Sequence, residues 1–168
     1  WVWIITMDPS SSVQFYFLYQ NGTAVGTTPG SSGNFPAVSA SRWADSTNFA
    51  LVWGDTAATI IQAQIFNANG QSVSGPKNVS NSTASKGFPY SVSALQGGRW
   101  VLGWTDNSLD GSSAGAFGNI IEPNFSLLYG EDLRFADNTA DSQKAPSVAG
   151  MSASNPYQYV AYWNDQAV

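Results

Sequence analysis

A β-strand unit that recurs about every 55 residues constrains this chain more than any other feature of it. Its first mark is an aromatic or small residue before proline, leading into a strand of Val, Ser and Ala. The copies are Phe35-Pro36-Ala37-Val38-Ser39-Ala40, Phe88-Pro89-Tyr90-Ser91-Val92-Ser93-Ala94 and Ala145-Pro146-Ser147-Val148-Ala149. The middle copy holds one extra residue before its Val.

The second mark is an aromatic strand ending in Trp-x-Asp. Phe49-Ala50-Leu51-Val52-Trp53-Gly54-Asp55 matches Trp100-Val101-Leu102-Gly103-Trp104-Thr105-Asp106 and Tyr159-Val160-Ala161-Tyr162-Trp163-Asn164-Asp165. A degenerate copy, Val2 to Asp8, has Thr6 in place of the Trp. Apolar or small residues at both parities predict a central strand buried on both faces. Between the two marks, Gln96-Gly97-Gly98 reads as a hairpin turn. The third mark is Ile60-Ile61-Gln62-Ala63-Gln64-Ile65-Phe66 before Asn69-Gly70, with a counterpart in Phe15 to Leu18 before Asn21-Gly22. Asn-Gly supplies the positive φ of a tight turn, after which Val25 or Val73 is predicted to start a short outer strand. In the middle copy the match is Phe117-Gly118-Asn119-Ile120-Ile121, leading to Asn124; this copy loses the Gly and inserts Ser126 to Gly130.

No stretch shows sustained helical periodicity with caps. The expected fold is all-β, about three antiparallel sheet repeats of three or four strands each, arranged as a β-propeller-like ring or a stacked β array. The segments are a partial repeat over 1–34, repeats over 35–87 and 88–144, and a partial repeat over 145–168, within what can be one continuous domain. The order of these marks resembles the propeller-blade-like repeats of large microbial extracellular proteins, which accompany adhesin-like and calcium-binding toxin-like regions. Ala63-Gln64-Ile65-Phe66 to Asn69-Gly70 matches best. The resemblance implies a surface or secreted scaffold and brings no catalytic residue with it.

Composition narrows the function classes. The net charge is −5, and the six basic residues are scattered, so no stripe exists to neutralise nucleic-acid phosphates. No apolar run approaches the ~20 residues of a membrane-spanning helix. Histidine and cysteine are both absent, which removes the commonest general base, the commonest metal ligand and any thiolate chemistry. Glu122, Glu131 and Asp132 gather in the irregular middle copy, but a solvated loop accounts for them without paired-carboxylate hydrolysis. The chain therefore reads as no enzyme, and no cofactor is implied.

Four Asn-x-Ser/Thr sequons, at Asn21, Asn78, Asn81 and Asn124, are glycan acceptors in a chain that passes through a glycosylating secretory route, and so point to an extracellular or cell-surface location. Asp106, Ser108 and Asp110 alternate before Gly111 as calcium ligands do, yet Phe117 stands where a closing Glu belongs, and Asx-turn chemistry explains the same residues. Trp53, Trp104 and Trp163 share one repeated position and are expected in the core. Trp43, with Arg42 and Asp45 in a turn, is the candidate sugar platform. The chain opens on a central-type strand and closes ahead of its third strand, so strand completion between copies is expected to give a homo-oligomer or filament. The leading expectation is an extracellular structural or adhesive repeat protein, N-glycosylated and self-assembling. The alternative is a lectin-like propeller module with glycans as partners.

Overall fold

The computed structural model describes residues 2–7, 13–18, 24–27, 34–40 and 166 by backbone alone, and residues 48–67, 69–109, 114–137, 142–151 and 155–165 in fuller detail. Every regular element among them is a β-strand. The first sheet holds β1 (Val2–Met7), β2 (Val13–Leu18) and β3 (Ala24–Thr27). The second holds β4 (Asn34–Ala40), β5 (Phe49–Gly54), β6 (Ile61–Phe66) and β7 (Lys77–Asn78). The third holds β8 (Lys86–Leu95), β9 (Arg99–Asp106), β10 (Gly115–Ile121) and β11 (Leu133–Arg134), and the fourth pairs β12 (Ser142–Gly150) with β13 (Tyr159–Gln166). Each sheet is an antiparallel meander in chain order, so the fold is all-β, as the repeat predicts.

The proline mark has a structural meaning. In β4, β8 and β12 the pairing with the next strand breaks at the proline, which has no N–H to give to a ladder. Two residues go unpaired between Asn34 and Ala37, and two between Lys144 and Ser147. Three go unpaired between Gly87 and Ser91, so the extra residue of the middle copy is absorbed in a wider bulge.

The central strands are buried on both faces because sheets pack against each other on both sides. Trp100, Leu102 and Trp104 of β9 face the second sheet, where Ala50, Val52, Ala63 and Ile65 receive them. Val101 of β9 and Ile120 of β10 face the fourth sheet and meet Val148, Tyr159 and Ala161. The second sheet obeys the same rule: Ala50 and Val52 face forward, while Phe49, Leu51 and Trp53 lie on the opposite face. There Phe49 stacks on Phe66 at 5.4 Å, and the Trp53 indole N–H donates to Gln62 Oε1 at 3.1 Å. The second and third sheets thus show their large aromatic parity backward and their small parity forward. Gly54 illustrates the fit, since a Cβ there would run into the Tyr90 ring of the next sheet.

Small polar side chains join the first strands of neighbouring sheets. Ser91 Oγ donates to the Pro146 carbonyl at 2.8 Å, and Ser93 Oγ accepts from Gly150 N–H at 2.9 Å. The Ser residues of the Val-Ser-Ala strand are therefore inter-sheet connectors.

The outer strand of the second repeat starts later than expected. Val73, 55% exposed, follows Ser72, which makes an isolated antiparallel bridge to Phe66, and the two-residue strand β7 begins only at Lys77. The N–H groups of Val73 and Ser74 both turn to the Ile65 carbonyl, Ser74 Oγ accepts from Ile65 N–H, and Pro76 follows with no donor of its own. In the third repeat, buried Asn119 of β10 holds the inserted loop: its Nδ2 donates to the Tyr129 and Glu131 carbonyls, and its Oδ1 accepts from Tyr129 N–H.

Candidate functional site

A cleft of about 410 Å³ opens between the second and third sheets. Ile65, Val73 and Ser74 form its wall on one sheet; Trp100, Asn124 and Phe125 form the other. The Gly97-Gly98 hairpin adds bare backbone, and both glycines sit at φ 73°, where a side chain would be strained. Phe125 also has positive φ, at 63°, and Lys77 of the opposite sheet secures it: the ammonium donates to the Phe125 carbonyl at 2.8 Å and lies 5.8 Å from the ring centre. Trp100 is 2% exposed, and its indole N–H is buried with no acceptor among the described residues. Asn124 fixes its own turn, its Oδ1 accepting from Ser126 N–H at 3.0 Å and from Ser126 Oγ at 2.6 Å. The described residues lining this cleft are apolar, amide or hydroxyl; none is charged.

The sequons fall in three different settings. Asn78 lies exposed on β7, and its Oδ1 accepts from Gln62 Nε2 at 3.2 Å. Asn81 is exposed but tied down: its Nδ2 donates to the Gly130 carbonyl at 2.9 Å, and its backbone N–H donates to Asp132 Oδ1 at 2.8 Å. Asn124 is exposed at the cleft mouth, and Asn21 lies outside the described residues.

Asp106 closes an Asx turn, its Oδ1 accepting from Ser108 N–H, Ser108 Oγ and Leu109 N–H. Its Oδ2 faces Lys86 Nζ at 2.8 Å, and both side chains are fully buried. The ammonium also donates to the Ser82 and Ala84 carbonyls, each at 2.8 Å, so it occupies an oxygen-lined position of the kind a cation takes. Burial alone would raise the Asp106 pKa; the Lys86 bond, the Ser108 and Leu109 N–H groups and the Lys86 charge together hold it below 3.8. Asp55, at the same place in the second repeat, is lowered likewise. Burial opposes the shift, and the Ile60 and Thr59 N–H groups, the Thr59 hydroxyl and the Lys86 charge outweigh it. Asp110, the other carboxylate of the calcium-like run, lies outside the described residues, which contain no group of three or more His, Cys, Asp or Glu placed to hold a metal.

Trp53 and Trp104 are both 0% exposed, while Trp163 is half-buried. Trp43, Arg42 and Asp45 lie outside the described residues. The three acids of the middle copy have separate structural settings. Glu122 pairs with Arg99 at 2.9 Å, Asp132 accepts the Asn81 and Ser82 N–H groups, and Glu131 is exposed. The sequence reading missed the Lys86–Asp106 pair and the cleft. A lone Lys three residues before the Pro of an otherwise apolar strand was the available signal for the first. The cleft has no local signal, because its walls come from different repeats. The chain matches no protein-family model and no curated protein sequence.

Proposed function

We propose that this chain is part of an extracellular structural or adhesive β-repeat scaffold, N-glycosylated and assembling through its sheet faces, in a propeller-like or stacked arrangement. One observation carries the assembly. Val160 and Tyr162 of β13 are 51% and 67% exposed, although their counterparts Val101 and Gly103 in β9 form the forward face that the fourth sheet covers. The forward face of the last described sheet thus presents Val160 and Tyr162 uncovered among the described residues, at positions that are covered in the second and third sheets. Under this reading a sheet of another copy covers it, a head-to-tail contact that repeats. Exposed Asn78 and Asn124 on outer turns and edges suit a glycosylated surface, where bulky sugars keep sheet edges from pairing nonspecifically. Light scattering on the purified chain tests the assembly. Mass is expected to grow with concentration and to revert to monomer in Tyr162→Asp; a wild-type monomer at every concentration refutes it.

A further inference from the structure

Lys86 opens β8, and its ammonium lies in a shell of oxygens that the preceding loop turns toward it. Nζ is 2.8 Å from the carbonyl oxygens of Ser82 and Ala84, 3.3 Å from Ser82 Oγ and 2.8 Å from Asp106 Oδ2, and the Lys86 and Asp106 side chains are fully buried. The loop keeps its shape through bonds that leave the ammonium out. Asp132 accepts the Asn81 and Ser82 N–H groups, Ser82 Oγ accepts from Ala84 N–H, and the Ser85 carbonyl accepts from Asn107 N–H. Asp106 is fixed independently, because its Oδ1 accepts from Ser108 N–H and Leu109 N–H. The shell is therefore built without the ammonium, and its buried inward carbonyls call for a donor or a positive charge.

The geometry points to a monovalent-cation site, sized for ammonium or potassium, that the chain fills with its own Lys86. An ammonium has three hydrogens to offer four oxygens, so part of its hold on the shell is charge without direction, as it is for a spherical ion. Contacts of 2.8 Å are long for calcium, which takes oxygens at about 2.3–2.6 Å, and longer still for magnesium. Potassium is close to ammonium in size and accepts shells of backbone carbonyls. The charge count agrees. Asp106 is the one carboxylate touching the ammonium among the described residues, so a single positive charge neutralises the site and a second would be stranded. Asp55, which also feels the Lys86 charge, gives its oxygens to Thr59 and Ile60. Ser108, expected beside Asp106 as a calcium ligand, instead turns its hydroxyl onto Asp106 Oδ1. This site lies apart from the assembly face on β13, and it can fail or succeed independently of the scaffold reading.

The test empties the site and offers it free cations. Lys86→Ala in the whole chain removes the ammonium and keeps Asp106 and the loop oxygens. Urea melts followed by tryptophan fluorescence are run at equal ionic strength in the chlorides of tetramethylammonium, sodium, potassium, ammonium and calcium, each compared with wild type in the same salt. Lys86→Ala is expected to gain stability saturably with potassium and with ammonium. Its folded-to-unfolded ratio should rise about tenfold when the cation stands at ten times its dissociation constant. Sodium, calcium and tetramethylammonium are expected to move the variant no more than they move wild type. Lys86→Met, whose apolar stem reaches into the shell, and Lys86→Ala with Asp106→Asn, which lacks the carboxylate, are expected to show no such gain. Where Lys86→Ala is unfolded in tetramethylammonium chloride, recovery of native fluorescence on adding potassium is the same measurement. Three results overturn the inference: no response of Lys86→Ala to potassium or ammonium, an equal response to every salt, or an equal response in Lys86→Met. A response to calcium larger than that to potassium overturns it as well, because the shell would then be built for a divalent ion.

Discussion

Removing the Lys86 ammonium tests the polar centre of the inter-sheet packing. Lys86→Met keeps the length and apolar stem of the side chain but leaves the Asp106 carboxylate fully buried, with its nearest cation gone. The Ser82 and Ala84 carbonyls lose a donor at the same time. Stranding one member of a buried pair costs about 3–5 kcal/mol, a large share of the stability of a typical domain. Asp106→Asn strands the ammonium instead, though the two carbonyls still accept from it. The double variant removes both charges and retains an acceptor for the Ser108 and Leu109 N–H groups. It is therefore expected to cost clearly less than the two single changes together, giving a coupling of about 1.5–3 kcal/mol.

Acid sharpens the experiment. In the wild type the pair holds the Asp106 pKa below 3.8, so the stability it contributes is present above that value and is lost as pH falls through the lowered folded value. In Lys86→Met the favourable charge is gone and burial dominates, so the carboxylate takes up its proton at a higher pH. The gap between wild type and variant is then expected to shrink as the pH drops, toward the ~1–2 kcal/mol owed to the two carbonyls. Urea melts followed by tryptophan fluorescence, at neutral pH and at steps down to 3.8, measure the gap directly. A neutral-pH loss below about 1 kcal/mol, or a loss independent of pH, refutes the assignment of a charged, desolvated pair.

Other consequences can be measured on the same material. Trp104→Ala is expected to cost about 3–5 kcal/mol in a denaturant melt, because the ring is fully buried between two sheets. Gly54→Ala is expected to lower stability by about 1–3 kcal/mol, and Gly54→Ala with Tyr90→Phe by less, since the new methyl meets the Tyr90 ring and hydroxyl. Burial, with the Asp55 charge adding to it, pushes the Tyr90 pKa from 10.0 to about 12; this contribution to stability is full below pH 10, and alkaline melts should show it disappearing as pH rises toward 12. In chain from a glycosylating host, peptide mapping is expected to find higher occupancy at Asn78 than at Asn81, whose amide is held by the Gly130 carbonyl.

The parts of this architecture that depend on neighbours in sequence were legible before any coordinates. Strand identity in β5, β9 and β13 follows from aromatic and β-branched residues at both parities, and the hairpin at Gln96-Gly97-Gly98 from its glycines. The proline mark and the extra residue of its middle copy were visible in the sequence, but the bulges they produce appear only in the strand pairing. The start of β7 was misplaced because strand propensity at Val73 competes with hydroxyl bonding by Ser72 and Ser74, which offers the backbone another partner. The Lys86–Asp106 pair was hidden for a different reason. An apolar-strand pattern treats an isolated Lys as solvent-facing, and only the meeting of β8 with β9 shows that its partner lies directly opposite. The cleft was out of reach, since Val73 and Trp100 meet only when one repeat is placed on the next.

Placement of one repeat on the next also gives the array a direction. Trp100, Leu102 and Trp104 are large and point backward, whereas Ala50 and Val52, which receive them, are small and point forward. Such a contact joins two different faces and cannot be its own mate, so a sheet added by this rule always exposes a fresh forward face. The third sheet, with Val101 and Gly103 forward, is covered in this way by the fourth. Whether successive sheets meet again in a ring or continue as a stack depends on the rotation per step, which the volume difference between the two faces sets. Enlarging the small face is therefore the change that tests the rule. Ala50→Leu should push the second and third sheets apart at the Ala50–Trp100 contact, widening the cleft beside it and shifting the Trp100 indole resonance while the β8–β9 pairing holds. A Trp100 resonance unmoved by that change would show that the sheets do not register on each other through this parity.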